Sequence, residues 1–226
     1  MAEYKLILTE QPKSPIAEAY RSLRTNLQYA KVDGELKSIL YTSTGPGEGK
    51  STTIANTAIA LAQSGRRVIL VDCDLRKPVL HKIFRLSRNS GVTNILAEDS
   101  HPAEYIQDTD IENLQILSSG PIPPNPSELL GSKRMKKLLS YVREQADMVL
   151  IDSPPAVAVT DASVLASQVD GITLVVDAGT VRPEIAQRAK ELLTHANGRI
   201  LGVILNRAEI DEEHAYYYYY YGSGNK

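Results

Sequence analysis

The stretch Thr44-Gly45-Pro46-Gly47-Glu48-Gly49-Lys50-Ser51-Thr52 joins an apolar run at 38–43 to a helical pattern that begins at Lys50. A glycine-rich turn feeding a helix N-terminus presents several backbone N–H groups, and the positive end of the helix dipole, to one anion. Gly45, Pro46, Gly47, Glu48, Gly49, Lys50, Ser51 and Thr52 are therefore expected to wrap the phosphates of a nucleotide, ATP. In this pattern Lys50 reaches the β- and γ-phosphates and the Ser51 hydroxyl binds Mg2+. The strict form G-x-x-x-x-G-K-[ST] has glycine where this chain has Thr44, but Gly45, Gly47 and Gly49 still permit close backbone approach. The alternative is a strand-to-helix turn that is glycine-rich by chance. The flanking strand, the flanking helix and the Gly-Lys-Ser run together argue against it.

Outward from this loop, aliphatic runs recur at 38–43, 67–72, 113–117, 148–152, 172–177 and 200–206. Most are apolar on consecutive positions, as strands buried on both faces of a parallel sheet are. Helical patterns separate them at 14–31, 50–64, 132–145, 161–167 and 183–196. The expected architecture is α/β of the P-loop NTPase type, a mostly parallel sheet covered by helices on both faces. Ligands bind such sheets at the carboxyl ends of the strands, where Asp72, Asp152 and Asn206 fall. Gly120-Pro121-Ile122-Pro123-Pro124-Asn125-Pro126 can continue neither a helix nor a central strand, and is expected to be a stiff surface loop from which Asn125 or Ser127 starts the next helix.

Val68-Ile69-Leu70-Val71-Asp72-Cys73-Asp74-Leu75-Arg76 brings two carboxylates to the end of one strand, facing the same way if the extended chain continues. Like charges held together need a cation or a proton between them, and Mg2+ would supply it. Met148-Val149-Leu150-Ile151-Asp152-Ser153-Pro154-Pro155 ends a second strand in a carboxylate suited to the metal or its waters. Either aspartate alone could equally be a turn or helix cap; the phosphate loop in the same sheet favours the metal.

At 226 residues and 42% hydrophobic the chain supports one well-buried core, so a single domain over 1–210 is expected, with a flexible tyrosine-rich tail over 211–226. The 25 Lys and Arg against 27 Asp and Glu give no general field for nucleic acid or anionic lipid. One cysteine, Cys73, excludes an internal disulfide, and no run reaches the roughly 20 apolar residues of a membrane span. A soluble, cytoplasmic protein is expected, which would need a partner to bring it to any membrane it works at. His81, His101, His195 and His214 are too scattered to suggest a metal cluster.

Taken together, these segments resemble the bacterial tyrosine kinase (BY-kinase) family, whose motifs are called Walker A, A′ and B. Asp72, Asp74 and Arg76 match the A′ signature, Asp152 to Pro155 the B signature, and Pro123 to Leu130 a family loop and helix. Glu18, Arg21 and Arg24 match an oligomerisation motif, and the tyrosine-rich end completes the likeness. The resemblance implies Lys50 on the phosphates and Ser51, Asp74 and Asp152 around Mg2+. It also implies Asp72 as base for the acceptor tyrosine, with Asp72 and Asp74 titrating as a coupled pair. Asn206, followed by Arg207, stands where related ATPases read adenine. Also implied are a ring-shaped homo-oligomer, tail phosphorylation in trans, protein substrates and a cognate tyrosine phosphatase. A separate transmembrane activator of the polysaccharide co-polymerase type would hold the kinase at the inner face of the membrane.

Two features keep simpler readings. Glu18, Arg21 and Arg24 at helical spacing could be an ordinary solvated face, worth tenths of a kcal/mol per pair. Tyr216, Tyr217, Tyr218, Tyr219, Tyr220 and Tyr221 could be a low-complexity tail or a terminal strand, but six phenols bounded by Gly222 are hard to bury at a terminus, and exposed hydroxyls suit a kinase. The alternative function is a ParA/MinD-like ATPase switch controlling assembly or positioning. Those relatives carry a signature lysine where this chain has Gly45.

Overall fold

The computed structural model describes residues 4–30 and 36–209. The expected tail, Tyr216–Tyr221 included, lies outside the described residues, as does Lys31. In chain order the elements are α1 (Ile7–Glu10), α2 (Pro15–Tyr29), β1 (Ser38–Ser43), α3 (Lys50–Ala62), β2 (Val68–Asp72), α4 (Leu80–Ile83), α5 (Val92–Glu98), β3 (Ile106–Asp108), β4 (Leu114–Leu117), α6 (Pro126–Leu130), α7 (Lys133–Gln145), β5 (Met148–Asp152), α8 (Asp161–Ala166), β6 (Gly171–Asp177), α9 (Pro183–His195) and β7 (Ile200–Asn206).

The seven strands form one sheet in the order β3-β4-β2-β5-β1-β6-β7, parallel throughout except for the antiparallel pair β3–β4. Every residue of β1, β2, β5 and β6 is buried, which is why these strands are mostly apolar on consecutive positions. Their side chains alternate between two cores. Ile39, Tyr41, Leu70 and Leu150 pack with Ile54, Ala58 and Leu61 of α3, whereas Leu40, Val71 and Ile151 pack with Leu138 and Val142 of α7 and Leu165 of α8.

Helix starts follow their local chemistry. Ser14 accepts from Ala17 N–H at the head of α2 and Ser132 from Met135 N–H at the head of α7, both at 3.2 Å, and Pro15 and Pro183 occupy first turns where a missing N–H costs nothing. The helix expected from Asn125 or Ser127 is α6, with Pro126 in its first turn. β3 was not expected. It is three residues long and half exposed, so it carries neither an apolar run nor an alternation.

β1 lies between β5 and β6, while its chain successor β2 lies beyond β5. The chain thus leaves β1 toward one side of the sheet, to β2, and leaves the adjacent β5 toward the other, to β6, which makes the carboxyl ends of this pair the switch point where such sheets bind ligands. The phosphate loop follows β1 there.

Candidate active site

Residues 44–49 turn sharply between β1 and α3. Gly47 and Gly49 have φ of +81° and +84°, in the left-handed region that side chains disfavour. A Cβ on Gly49 would also stand 2.1 Å from Asn206 Nδ2, so no other residue fits that position unchanged. The buried Glu48 carboxylate folds back into the loop: its Oε1 accepts from the Thr44 hydroxyl and the Gly45 N–H, and its Oε2 from Thr44 N–H at 3.3 Å. Thr44, where the strict pattern has glycine, is thereby used as a side-chain donor that ties the loop to its own acid.

Lys50, the first residue of α3, is buried, and its ammonium donates to Asp152 Oδ1 and, at 3.2 Å, to Ser51 Oγ. It stands 3.8 Å from Asp74 Oδ2. Ser51 Oγ donates to Asp152 Oδ2 at 2.8 Å. The end of β5 therefore holds the side chains of Lys50 and Ser51, with Asp74 close to the same ammonium.

Asp72 is fully buried at the end of β2, where extension stops: its Oδ1 accepts from Asp74 N–H at 3.2 Å and its Oδ2 from Leu80 N–H at 3.4 Å. Burial, then the nearby Asp152, push the Asp72 carboxyl well above the usual carboxylate range. Burial also raises Asp152, against the opposing pull of Lys50. Three carboxylates thus face one lysine, an imbalance that suits a divalent cation. Among the described residues no three Asp, Glu, His or Cys side chains form a metal cage. Mg2+ bound with a nucleotide needs only one or two protein carboxylates beside phosphates and water, so Ser51, Asp74 and Asp152 fit it.

Two features of the site escaped sequence reasoning. The buried Asp161, at the start of α8, accepts from Arg76 Nε and Nη2, both at 2.9 Å, and from Ser127 Oγ at 2.5 Å. This joins the A′ segment to the proline-rich loop and α6. On the opposite side, Asn206 Nδ2 donates to the Glu48 carbonyl at 2.8 Å, and Arg207 donates to Asp177 and, at 3.1 Å, to the Gly47 carbonyl. Asn206, which stands where related ATPases read adenine, and Arg207 after it thus both touch the backbone of the phosphate loop. Thr160-Asp161 reads locally as an ordinary helix start, and only distance in the fold reveals its partner.

On α2, Arg21 bonds Glu18 at 2.9 Å and the Pro12 carbonyl at 2.7 Å, while Arg24 leans on the Ala60 carbonyl at the C-terminal end of α3. Surface hollows beside Arg67 and Gln145, and between Tyr4 and Phe84, are lined by none of the site residues.

An anion loop entering a helix at the switch point of a parallel sheet, with its lysine and serine fixed on the acid of a neighbouring strand, makes the chain a P-loop NTPase. Residues 36–225 match the ParA family, described as NUBPL iron-transfer P-loop NTPase. The fold is shared with the cell-division ATPase MinD of Pyrococcus furiosus, at a TM-score of 0.65 and 24% identity over 80% of this chain and 78% of that one. Nearer relatives narrow the class. The chain is 44% identical to tyrosine-protein kinase YwqD of Bacillus subtilis, covering 93% of this chain and 89% of YwqD. It is 35% identical to tyrosine-protein kinase CpsD of Streptococcus agalactiae, covering 84% and 82%. Against tyrosine-protein kinase wzc of Salmonella typhimurium the identity is 36% over 89% of this chain but 28% of that longer protein. The crystal structure of the chimerical protein CapA2B2 superimposes with a TM-score of 0.86 and 41% identity over 91% of this chain and 90% of that one. This chain belongs to the bacterial tyrosine-protein kinases.

Proposed function

We propose that the protein moves the γ-phosphoryl group of ATP onto tyrosine hydroxyls, and that Tyr216–Tyr221 of a neighbouring copy are its first acceptors. The observation that carries this reading is the convergence of Lys50, Ser51, Asp74 and Asp152 beside Asp72 at the carboxyl ends of β2 and β5. The P–O bond to the tyrosine oxygen forms as the bond between the γ-phosphorus and the bridging oxygen of ADP breaks. The tyrosine proton passes to the Asp72/Asp74 pair, in which Asp72 has the raised proton affinity of a base. Lys50 offsets charge on the phosphates, and the loop N–H groups hold them. Ser51, Asp74 and Asp152 would hold Mg2+, which would supply further neutralisation of the phosphates.

Transfer between copies needs an assembly, and we assign the Glu18, Arg21 and Arg24 stripe of α2 to it, as a homo-oligomeric ring. Phosphate added beside Asp211, Glu212 and Glu213 would drive the tail out of its neighbour's site and loosen the ring. A cognate tyrosine phosphatase would reset it. The likeness to tyrosine-protein kinase YwqD supports a kinase of the split type, which a separate transmembrane activator would switch on. Among the described residues no helix is long and apolar enough to cross a membrane. That activator would recruit the kinase to the inner face of the membrane. Regulation of polysaccharide synthesis and export is the process this assignment serves.

The match to the ParA family over residues 36–225 favours one other reading, an ATPase switch. Gly45 stands where those relatives have a signature lysine, and its N–H is already taken by Glu48. Mixing Lys50→Met protein bearing an intact tail with active protein whose six tail tyrosines are Phe tests the proposal. Label from ATP on the Lys50→Met tail supports transfer in trans, and its absence in the mixture, with activity on an added tyrosine peptide, refutes that acceptor.

A further inference from the structure

We infer that Asp177 is a positioning residue for phosphate binding, acting through Arg207 in a brace that Asn206 completes. The inference rests on the nucleotide-binding half of the function proposed above, and adds what aims the loop.

A trans peptide is planar, so its C=O and its N–H point in opposite directions. No described peptide bond is cis. The Gly47 carbonyl shares a plane with Glu48 N–H, and the Glu48 carbonyl with Gly49 N–H. Arg207 takes the first carbonyl and Asn206 the second. Gripping both carbonyls from the β7 side turns both N–H groups away from β7, where they can serve as anion donors. The loop thus gains its direction from the end of an edge strand.

Arg207 is itself held. Its second Nη donates to Asp177, a buried carboxylate at the end of β6 that also accepts from Gly179 N–H at 3.2 Å. Asp177 and Asn206 are register partners, and Ala178 N–H donates to the Asn206 carbonyl at 3.0 Å, so the two strand ends are zipped immediately below the brace. Arg207 has φ of +55°, a conformation that costs a non-glycine residue energy and persists when its surroundings fix it. That turn carries its side chain back toward the loop. Asn206 leaves no room for a Cβ on Gly49, so the contact is tight as well as polar.

The test measures binding of ADP, AMP and GDP with Mg2+ by calorimetry, for Asp177→Asn and Arg207→Lys. Nucleotide binding is read without tyrosine transfer, so the brace and the kinase reading can fail separately. One charge-assisted hydrogen bond lost from the brace should weaken ADP about tenfold, leave AMP and the ADP-to-GDP preference unchanged, and raise KM for ATP more than it lowers kcat. Asp177→Glu should recover part of the loss. Arg207→Lys keeps the charge facing Asp177 and carries the test should Asp177→Asn not fold. Unchanged ADP affinity in folded variants overturns the inference. So does equal weakening of ADP and AMP, or a lost ADP-to-GDP preference, because either makes these residues readers of the base.

Discussion

Ser51 Oγ donates to Asp152 Oδ2 at 2.8 Å, binding the first turn of α3 to the end of β5 across 101 residues of sequence. The other oxygen of the same carboxylate takes Lys50. Asp152 therefore organises both the lysine and the hydroxyl expected to serve the nucleotide. Asp152→Asn should weaken ATP binding in Mg2+ by about tenfold or more and binding in EDTA much less, since the amide oxygen can still hold Lys50 whereas the metal-linked part is lost. Calorimetry in the two buffers decides it, and an equal loss in both would assign Asp152 to the loop alone.

Asp72 predicts a trade between stability and activity. Its carboxyl is raised in the folded chain, so the folded state binds this proton more tightly than the unfolded state does. The folded state carries no ionisation penalty below the ordinary carboxylate range, and the penalty accumulates as pH rises through the raised value. Asp72→Asn removes it. The variant should melt about 2–4 °C higher than the parent near pH 8, with the difference shrinking toward pH 4, and should lose most phosphoryl transfer. Melting curves across that range check the sign; a gain that grows toward acid would contradict it.

The parts of this fold legible in sequence were those whose burial is uniform. β1, β2, β5 and β6 are covered on both faces and so read as apolar runs, and the loop before Lys50 is defined by glycines that its backbone requires. β3 and the single-turn helices α1 and α4 are too short to carry a period. The hidden half of the site is long-range: Asp161 lies 85 residues from Arg76, and Asp177 lies 30 from Arg207. Nothing local marks either aspartate as the acceptor for a distant arginine.

Asp161→Ala should loosen the join between the A′ segment and the proline-rich loop, because Arg76 and Ser127 lose one acceptor together. The Arg76 side chain is 39% exposed and can hydrate, so solvent screens much of the ion pair and the cost should be about 1–2 kcal/mol. Transfer to tyrosine should fall more than ATP affinity. Denaturant titration with steady-state kinetics checks both, and a variant as stable and active as the parent would remove Asp161 from the site.

The central claim is that the phosphoryl group goes to tyrosine and not to water. Incubating the intact protein with Mg2+ and γ-labelled ATP, then mapping the label by mass spectrometry while free phosphate is counted, tests it directly. The account predicts phosphotyrosine within Tyr216–Tyr221, and none in Lys50→Met protein incubated alone. Steady release of free phosphate with no labelled tyrosine would contradict it and make the protein an ATPase switch.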